Sequence, residues 1–211
     1  MNRALLFANG VVSERMINLV KNKRFDWVIA ADGGARHALH WGYHPNFVVG
    51  DFDSLTPEVR RKLTQSKFIH LPSQHLNDLE KALIQCQELN VSHMTLLGVT
   101  GNRLDHTLSN LSVLSRYEGK FKLTIYDADG ELHYVRDSFR FEGQLGQTLS
   151  LIPVGEVSGV VTVGLRFPLK SENLVFGARE GLSNRVISNP VEIRVGKGLL
   201  IVFILYPDDK P

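Results

Sequence analysis

The sequence predicts an α/β protein of two domains: an N-terminal Rossmann-like domain with a parallel sheet over residues 1–126, then a C-terminal antiparallel β-sandwich over 127–211. Up to Tyr126, short apolar runs alternate with segments of helical period. Apolar strands without polar interruption, each followed by a helix, belong to a parallel sheet covered on both faces. Beyond Tyr126 the helical period vanishes, and short strand-like runs are separated by glycine, proline and asparagine, as in a sandwich.

The first half repeats one unit. "RALLFANG" precedes "SERMINLVKNK", "WVIAADGG" precedes "ARHALHWG", and "NFVVGDFDS" precedes "TPEVRRKLTQS". "KFIHLP" precedes "NDLEKALIQCQEL", and "HMTLLGVTG" precedes "LDHTLSNLSVLSRY". Helix starts are marked by capping residues. Ser13 can cap the first, and Thr56 before Pro57 is an N-cap with proline at the first helical position. Asn77 with Glu80 resembles a capping box.

In the second half, "ELHYVRDSFRFEG", "QTLSLIPVG", "SGVVTVGLRFPL", "NLVFGAREG" and "PVEIRVGKGLLIVFILY" supply the strands. "VEIRV" alternates, with Val191, Ile193 and Val195 apolar and Glu192 and Arg194 polar, the pattern of a half-buried strand. "GKG" (Gly196–Gly198) reads as a hairpin turn leading into a fully buried strand.

Bulk properties narrow the function. Hydrophobic content of 43%, charged content of 22% and a formal net charge of +2 describe an ordinary globular chain and give no reason to expect nucleic acid or an anionic membrane as partner. The five-residue apolar run Ala4–Ala8 is too short for a signal peptide, and the seven-residue run Leu199–Leu205 cannot span a bilayer. One cysteine, Cys86, excludes an intrachain disulfide and a cysteine-rich zinc site. It shares an apolar face with Leu79 and Leu83 and reads as a buried thiol. Trp27 and Trp41 read as packing residues, and His37, His40, His44, His70, His93 and His133 show no metal-ligand spacing, while His106 draws notice only through its neighbours. A soluble cytoplasmic protein is expected.

Chemistry-bearing residues gather where the strands of the first half end. In an open parallel sheet, ligands bind at the carboxyl ends of the strands. "ADGG" (Ala31–Gly34) ends the second strand, "GDFDS" the third and "GVTGNRLDH" (Gly98–His106) the fifth, while Asp78 opens the helix after the fourth. One edge thus receives Asp32, Asp51, Asp53, Asp78 and Asp105, with Arg103 among them. Asp51 and Asp53 flank a single phenylalanine. In an extended strand they would share a side and repel, a problem that a bound divalent cation removes. Oxygen-only ligation suits magnesium or manganese rather than zinc. Gly33 and Gly34 would offer backbone N–H groups to a phosphate, and Arg103 a bidentate grip. Neither a G-x-x-x-x-G-K-[ST] loop nor a protein-kinase signature is present. The residues themselves lead as far as Mg²⁺-dependent phosphoryl or nucleotidyl chemistry.

The ordered set "ADGGA", "VVGDFDS", "NDLEKAL", "GVTGNRLDH" and, in the second half, "GLSN" (Gly181–Asn184) resembles the thiamin pyrophosphokinase family over essentially the whole chain. The resemblance implies transfer of the pyrophosphoryl group of ATP to the hydroxyl of thiamin, giving thiamin diphosphate and AMP. It implies that Asp51, Asp53 and Asp78 hold Mg²⁺, with Asp32 beside the metal or the phosphates. Arg103 and the Gly33, Gly34 and Asn77 segment would bind the nucleotide phosphates, and Asp105 would lie at the phosphate–thiamin junction. Ser183 and Asn184 would hold thiamin. It further implies a homodimer with the active site at the interface, thiamin lying between the β domain of one chain and the α/β domain of the other. Two departures stand out. "QHLND" (Gln74–Asp78) has His75 and Asn77 where the family commonly has aspartate and threonine. No tryptophan lies in the second half to stack on thiamin, which leaves Phe203 and Tyr206 as aromatic candidates. Two other classes fit the residues: a Mg²⁺-dependent enzyme acting on a different polyphosphate, and a non-catalytic nucleotide or thiamin sensor.

Overall fold

The uninterrupted apolar runs of the first half become six parallel strands. In the computed structural model, which describes residues 2–73 and 75–207, the chain divides into one unit ending at Ala128 and another beginning at Asp129. The first unit carries β1 (Asn2–Phe7), β2 (Trp27–Ala31), β3 (Phe47–Gly50), β4 (Lys67–His70), β5 (Val91–Leu97) and β6 (Lys122–Tyr126). They lie in the order β6-β5-β1-β2-β3-β4, and every pairing is parallel. The chain steps outward from β1 to β4, then returns to place β5 on the other side of β1, so the topological switch point lies between β1 and β5. Leu5, Leu6 and Phe7 of β1, with Leu96 of β5, are fully buried. Each such side chain stabilises the fold by roughly 2 kcal/mol, which anchors the sheet beneath a polar edge.

The helices are α1 (Glu14–Val20), α2 (Gly34–His40), α3 (Pro57–Lys62), α4 (Asp78–Glu88) and α5 (Leu104–Tyr117). Their starts follow the capping signals. The Ser13 hydroxyl accepts from the Met16 N–H, Thr56 Oγ1 from the Val59 N–H, and Asn77 Oδ1 from the Glu80 N–H. The reciprocal half of the expected Asn77–Glu80 box is not made. Glu80 instead accepts from Arg116 Nη2 at 2.7 Å and Tyr117 Oη at 3.4 Å, because those groups of α5 offer a buried carboxylate partners it would otherwise lack.

The second unit is a sandwich of two four-stranded antiparallel layers. One runs β12 (Gly181–Arg185), β9 (Thr148–Pro153), β14 (Leu200–Leu205), β7 (Gly130–Val135). The other runs β11 (Lys170–Val175), β10 (Glu156–Val163), β13 (Val191–Arg194), β8 (Ser138–Phe141). Leu149, Leu151, Leu200 and Val202 of one layer meet Val160, Leu174, Val191 and Ile193 of the other in a single core. The expected hairpin at Gly196–Gly198 is absent. β13 and β14 belong to different layers, and the segment crosses between them while the Gly196 and Lys197 N–H groups bond the Ser158 carbonyl of β10. The turn residues fit either course; β13 is claimed by β10 and β8, and β14 by β7 and β9.

Candidate active site

The carboxyl edge of the parallel sheet holds a cavity of about 540 Å³, walled by the segments that follow β1, β2, β3 and β5 and by the start of α4. Asp32 directly follows β2. Its backbone has φ +41°, its N–H bonds the Val49 carbonyl at 2.9 Å, and its own carbonyl accepts from Ala35 at 3.0 Å. The side chain is only 2% exposed, and neither carboxylate oxygen has a hydrogen-bond partner among the described residues. Burial raises its pKa above the ordinary carboxylate value, and the neighbouring Asp78, Asp53 and Asp51 push the same way. The Ser54 hydroxyl, which donates to Asp53 Oδ1 at 3.0 Å, offsets this only in part.

Asp51 and Asp53 do not share a strand. β3 stops at Gly50, and Phe52 adopts φ +70°, so the extended period that would set both carboxylates on one side is broken. Asp51 Oδ1 accepts the Asp53 N–H at 3.4 Å, and the Asp53 side chain is exposed. The carboxylates that converge are Asp32, Asp51 and Asp78, each with an oxygen within 4.8 Å of the others. Asp53 lines the same cavity outside that group.

Sequence reasoning missed a fourth member, Lys81. It is 2% exposed, and its ammonium donates to Asp78 Oδ1 at 2.9 Å and Asp51 Oδ2 at 3.3 Å. Burial alone would lower its pKa, but the two carboxylates outweigh burial and the net shift is upward. For Asp51, burial raises the pKa, and the Asp53 N–H and Lys81 reverse this to hold it below the usual range. The three converging carboxylates and one ammonium leave a deficit of two positive charges, that of one divalent cation. Buried, partner-free oxygens, an all-oxygen donor set and this charge deficit fit a hard cation such as Mg²⁺. The signal for Lys81 was its spacing, three residues after Asp78 on one helix face.

Asn77 caps α4 and donates through Nδ2 to Ser109 Oγ and Asn110 Oδ1, both at 3.3 Å. Asn110 in turn donates to the Val99 carbonyl at 2.8 Å, tying the start of α4 to α5 and to the loop after β5. Gln74, first residue of the unusual "QHLND" stretch, lies outside the described residues; His75 is exposed. Arg103 precedes α5, lines the cavity and donates through Nε to Asp105 Oδ1 at 3.1 Å. Asp105 itself is not among the lining residues. With side chains 67% and 63% exposed, this pair is screened by water, so Arg103 can leave it at little cost. Gly33 is the N-cap of the seven-residue α2 and Gly34 its first residue.

In the second unit Ser183 is exposed, with φ +55° and its N–H on Ser150 Oγ at 3.1 Å. Asn184 is 5% exposed and fully engaged: Oδ1 accepts from Phe167 N at 3.1 Å and Arg185 N at 2.9 Å, while Nδ2 donates to the Phe167 carbonyl at 2.7 Å. Phe203 and Tyr206 are partly buried. The phenylalanines that present more than half their surface are Phe167, at 63%, and Phe176, at 66%.

Comparison with known proteins gives the family. Residues 19–126 match the model of the thiamin pyrophosphokinase catalytic domain, and residues 137–200 that of the thiamin pyrophosphokinase vitamin B1 binding domain. The chain belongs to the thiamin pyrophosphokinase family. A thiamin pyrophosphokinase of Caenorhabditis elegans is 26% identical over 207 residues, covering 90% of this chain and 82% of the relative. The thiamine pyrophosphokinase of Bacillus subtilis is 26% identical over 183 residues, covering 82% of this chain and 85% of its own. The fold is shared with the crystal structure of the Bacillus subtilis protein (TM-score 0.85, 22% identity, 97% of this chain and 99% of that one). It is shared also with the yeast structure (TM-score 0.79, 18% identity, 97% and 86%). The α/β-then-β architecture and the enzyme class expected from the sequence agree with these findings. No helix among the described residues is long and apolar enough to cross a membrane.

Proposed function

We propose that the chain transfers the pyrophosphoryl group of ATP to the hydroxyethyl oxygen of thiamin, releasing AMP, as a Mg²⁺-dependent thiamin pyrophosphokinase. The observation that carries this reading is the Asp32, Asp51, Asp78 group balanced by buried Lys81 at the carboxyl edge of the sheet. Mg²⁺ would be held there by Asp51 and Asp78, with the partner-free carboxylate of Asp32 completing the set and Asp53 at its margin. The ion would neutralise phosphate oxygens. Arg103 grips the polyphosphate, Asn77 lines its path with the Gly33–Gly34 turn packed behind it, and Asp105 stands where phosphate meets thiamin.

The thiamin oxygen attacks the β-phosphorus in line. The new O–P bond forms as the bridge to the α-phosphate breaks, AMP carries away the bond's electrons, and the hydroxyl proton is lost to a nearby carboxylate or to water. Positioning and charge neutralisation supply most of the rate, since a loose transition state asks little of a general base. In the β unit, Ser183 faces thiamin, and Asn184 acts through the Phe167 turn that it ties. Phe167 and Phe176, which present more than half their surface, join Phe203 and Tyr206 as candidate aromatic platforms. The enzyme works in the cytoplasm as a homodimer, thiamin lying between the β unit of one protomer and the α/β unit of its partner.

The test is chromatography of protein incubated with thiamin, ATP and Mg²⁺, with an EDTA control. Equal, metal-dependent amounts of AMP and thiamin diphosphate are expected. AMP without thiamin diphosphate would replace this reading with hydrolysis or another acceptor, and neither product, from folded dimer, would replace it with a binding protein.

A further inference from the structure

Three cationic side chains line the cavity: Arg36, Lys81 and Arg103. Lys81 is committed to Asp51 and Asp78, and Arg103 rests on Asp105. Arg36, on the first turn of α2, has no carboxylate partner among the described residues. Its one hydrogen bond runs from Nη2 to Asn9 Oδ1 at 3.5 Å, the long limit for such a contact, so most of its five donors are open.

We infer that Arg36 is a second guanidinium grip for the nucleotide's polyphosphate, set across the carboxyl end of β1 from Arg103. The inference rests on the functional reading above and adds to it a residue that no motif marked. Three features place the grip. The first is topology: Arg36 follows β2 and Arg103 follows β5, and these strands flank β1 on either side. An anion lying over the end of β1, at the switch point of the sheet, would have one guanidinium on each flank.

The second is the floor. The β1 end is built of Ala8, Asn9 and Gly10, with no charged side chain to compete for the anion. A Cβ on Gly10 would sit 2.2 Å from the Thr100 carbonyl oxygen, so the residue must be glycine for the loops after β1 and β5 to close on one another. The Gly10 N–H bonds the Gly98 carbonyl at 2.7 Å and the Val11 N–H bonds Thr100 at 2.8 Å, which fixes that floor.

The third is the mount that aims Arg36. A Cβ on Gly33 would lie 2.6 Å from Asn9 Cγ, Nδ2 and Oδ1. The bare Gly33 backbone therefore seats the Asn9 carboxamide, and that carboxamide meets the guanidinium. Arginine suits the position because its planar fork takes two phosphate oxygens at once.

The test is isothermal titration of the full-length protein with ATP, inorganic tripolyphosphate and thiamin, for wild type, Arg36→Gln and Arg36→Lys. Losing a charge-assisted pair predicts that Arg36→Gln weakens ATP and tripolyphosphate alike, by about 10- to 100-fold, and leaves thiamin unchanged. Arg36→Lys recovers part of the loss, since it restores charge without the fork. Arg36 is exposed, so thermal unfolding of the variants matches wild type; if Arg36→Gln melts early, the Arg36→Lys comparison decides. Unchanged affinity for both anions overturns the assignment. Loss for ATP with none for tripolyphosphate overturns it too, by putting Arg36 on the nucleoside. A wild-type protein that binds neither anion instead refutes the functional reading on which the inference stands.

Discussion

Asp32→Asn should stabilise the metal-free protein while destroying turnover. The substitution is nearly isosteric, and asparagine tolerates the φ of +41° at this position, so backbone and packing are preserved. What changes is charge. In wild type the carboxylate is 2% exposed, lacks hydrogen-bond partners and has oxygens of Asp51 and Asp78 within 4.8 Å. At that separation, with an effective dielectric constant of about 20, each like-charged neighbour costs about 3.5 kcal/mol. Lys81 cancels about one of the two. The amide also stays unpartnered, so only the part of the penalty specific to charge is recovered, about 2–3 kcal/mol. For a chain of this length that raises the unfolding midpoint by roughly 5–10 °C.

The assay is thermal unfolding in chelator, then across a Mg²⁺ titration, from pH 4 to 8. Asp32 has a folded pKa raised above its ordinary 3.8, so the unfolded chain loses its proton first. Wild type therefore loses stability as pH climbs from the ordinary carboxylate value through the raised folded value, and Asp32→Asn does not. The gap between them opens over that window and stays open above it. Saturating Mg²⁺ should close it, because a ligand at a hundred times its dissociation constant adds about 2.7 kcal/mol to wild type and less to a variant short of one oxygen anion. A variant that melts below wild type in chelator, or a gap independent of pH, would refute the reasoning by showing that the Asp32 carboxylate is satisfied in the folded protein.

Lys81→Ala carries the opposite sign: it leaves Asp51 and Asp78 facing each other and should cost ~2 kcal/mol in urea unfolding, less than a fully buried pair because those side chains are 24% and 38% exposed. Asn184→Ala removes three hydrogen bonds that hold the Phe167 and Arg185 backbone; about 2 kcal/mol of stability should go, and the Michaelis constant for thiamin should rise while that for ATP stays put. Equal changes in both constants would remove Asn184 from the thiamin side. Burial pushes the Cys86 thiol up to about 12, so a thiol reagent at pH 8 should label the native protein only as fast as it unfolds.

Legibility in the sequence depended on whether a feature is local. Ser13, Thr56 and Asn77 were readable as caps because a cap is settled within four residues. Asp32, Asp51 and Asp78 were readable as neighbours because each sits at the end of an apolar strand or the start of the next helix, and a parallel sheet sends all such points to one edge. Asp53 was grouped with Asp51 on a two-residue period, but the strand had already ended at Gly50. Lys81 was overlooked for another reason. A lysine on a helix belongs in water by default, and only carboxylates brought from β3 and the helix start make burial tolerable. The crossing at Gly196–Gly198 depended on which strands claimed β13 and β14, which no turn residue encodes.

The local costs of the fold fall on the same segments. Among the described residues, the non-glycine positions with positive φ are Asp32, Phe52, Asn90, Asn102, Ser171 and Ser183, and four of these lie in the stretches singled out for chemistry. Neighbours hold two of these conformations: Asp32 is tied to Val49 and Ala35, and Ser183 to Ser150. Strain of about 1–3 kcal/mol at each such residue persists only where surrounding structure over-determines it. At Asp32 the carboxyl halves of β1 and β2, buried from Ala4 to Phe7 and from Ile29 to Ala31, can impose that geometry, and the like charges of Asp32, Asp51 and Asp78 add to the load. Lys81 is what lets the three carboxylates coexist without a cation. Because it returns only one of three charges, the edge of the sheet stays short of positive charge, a shortage that one divalent cation would make good.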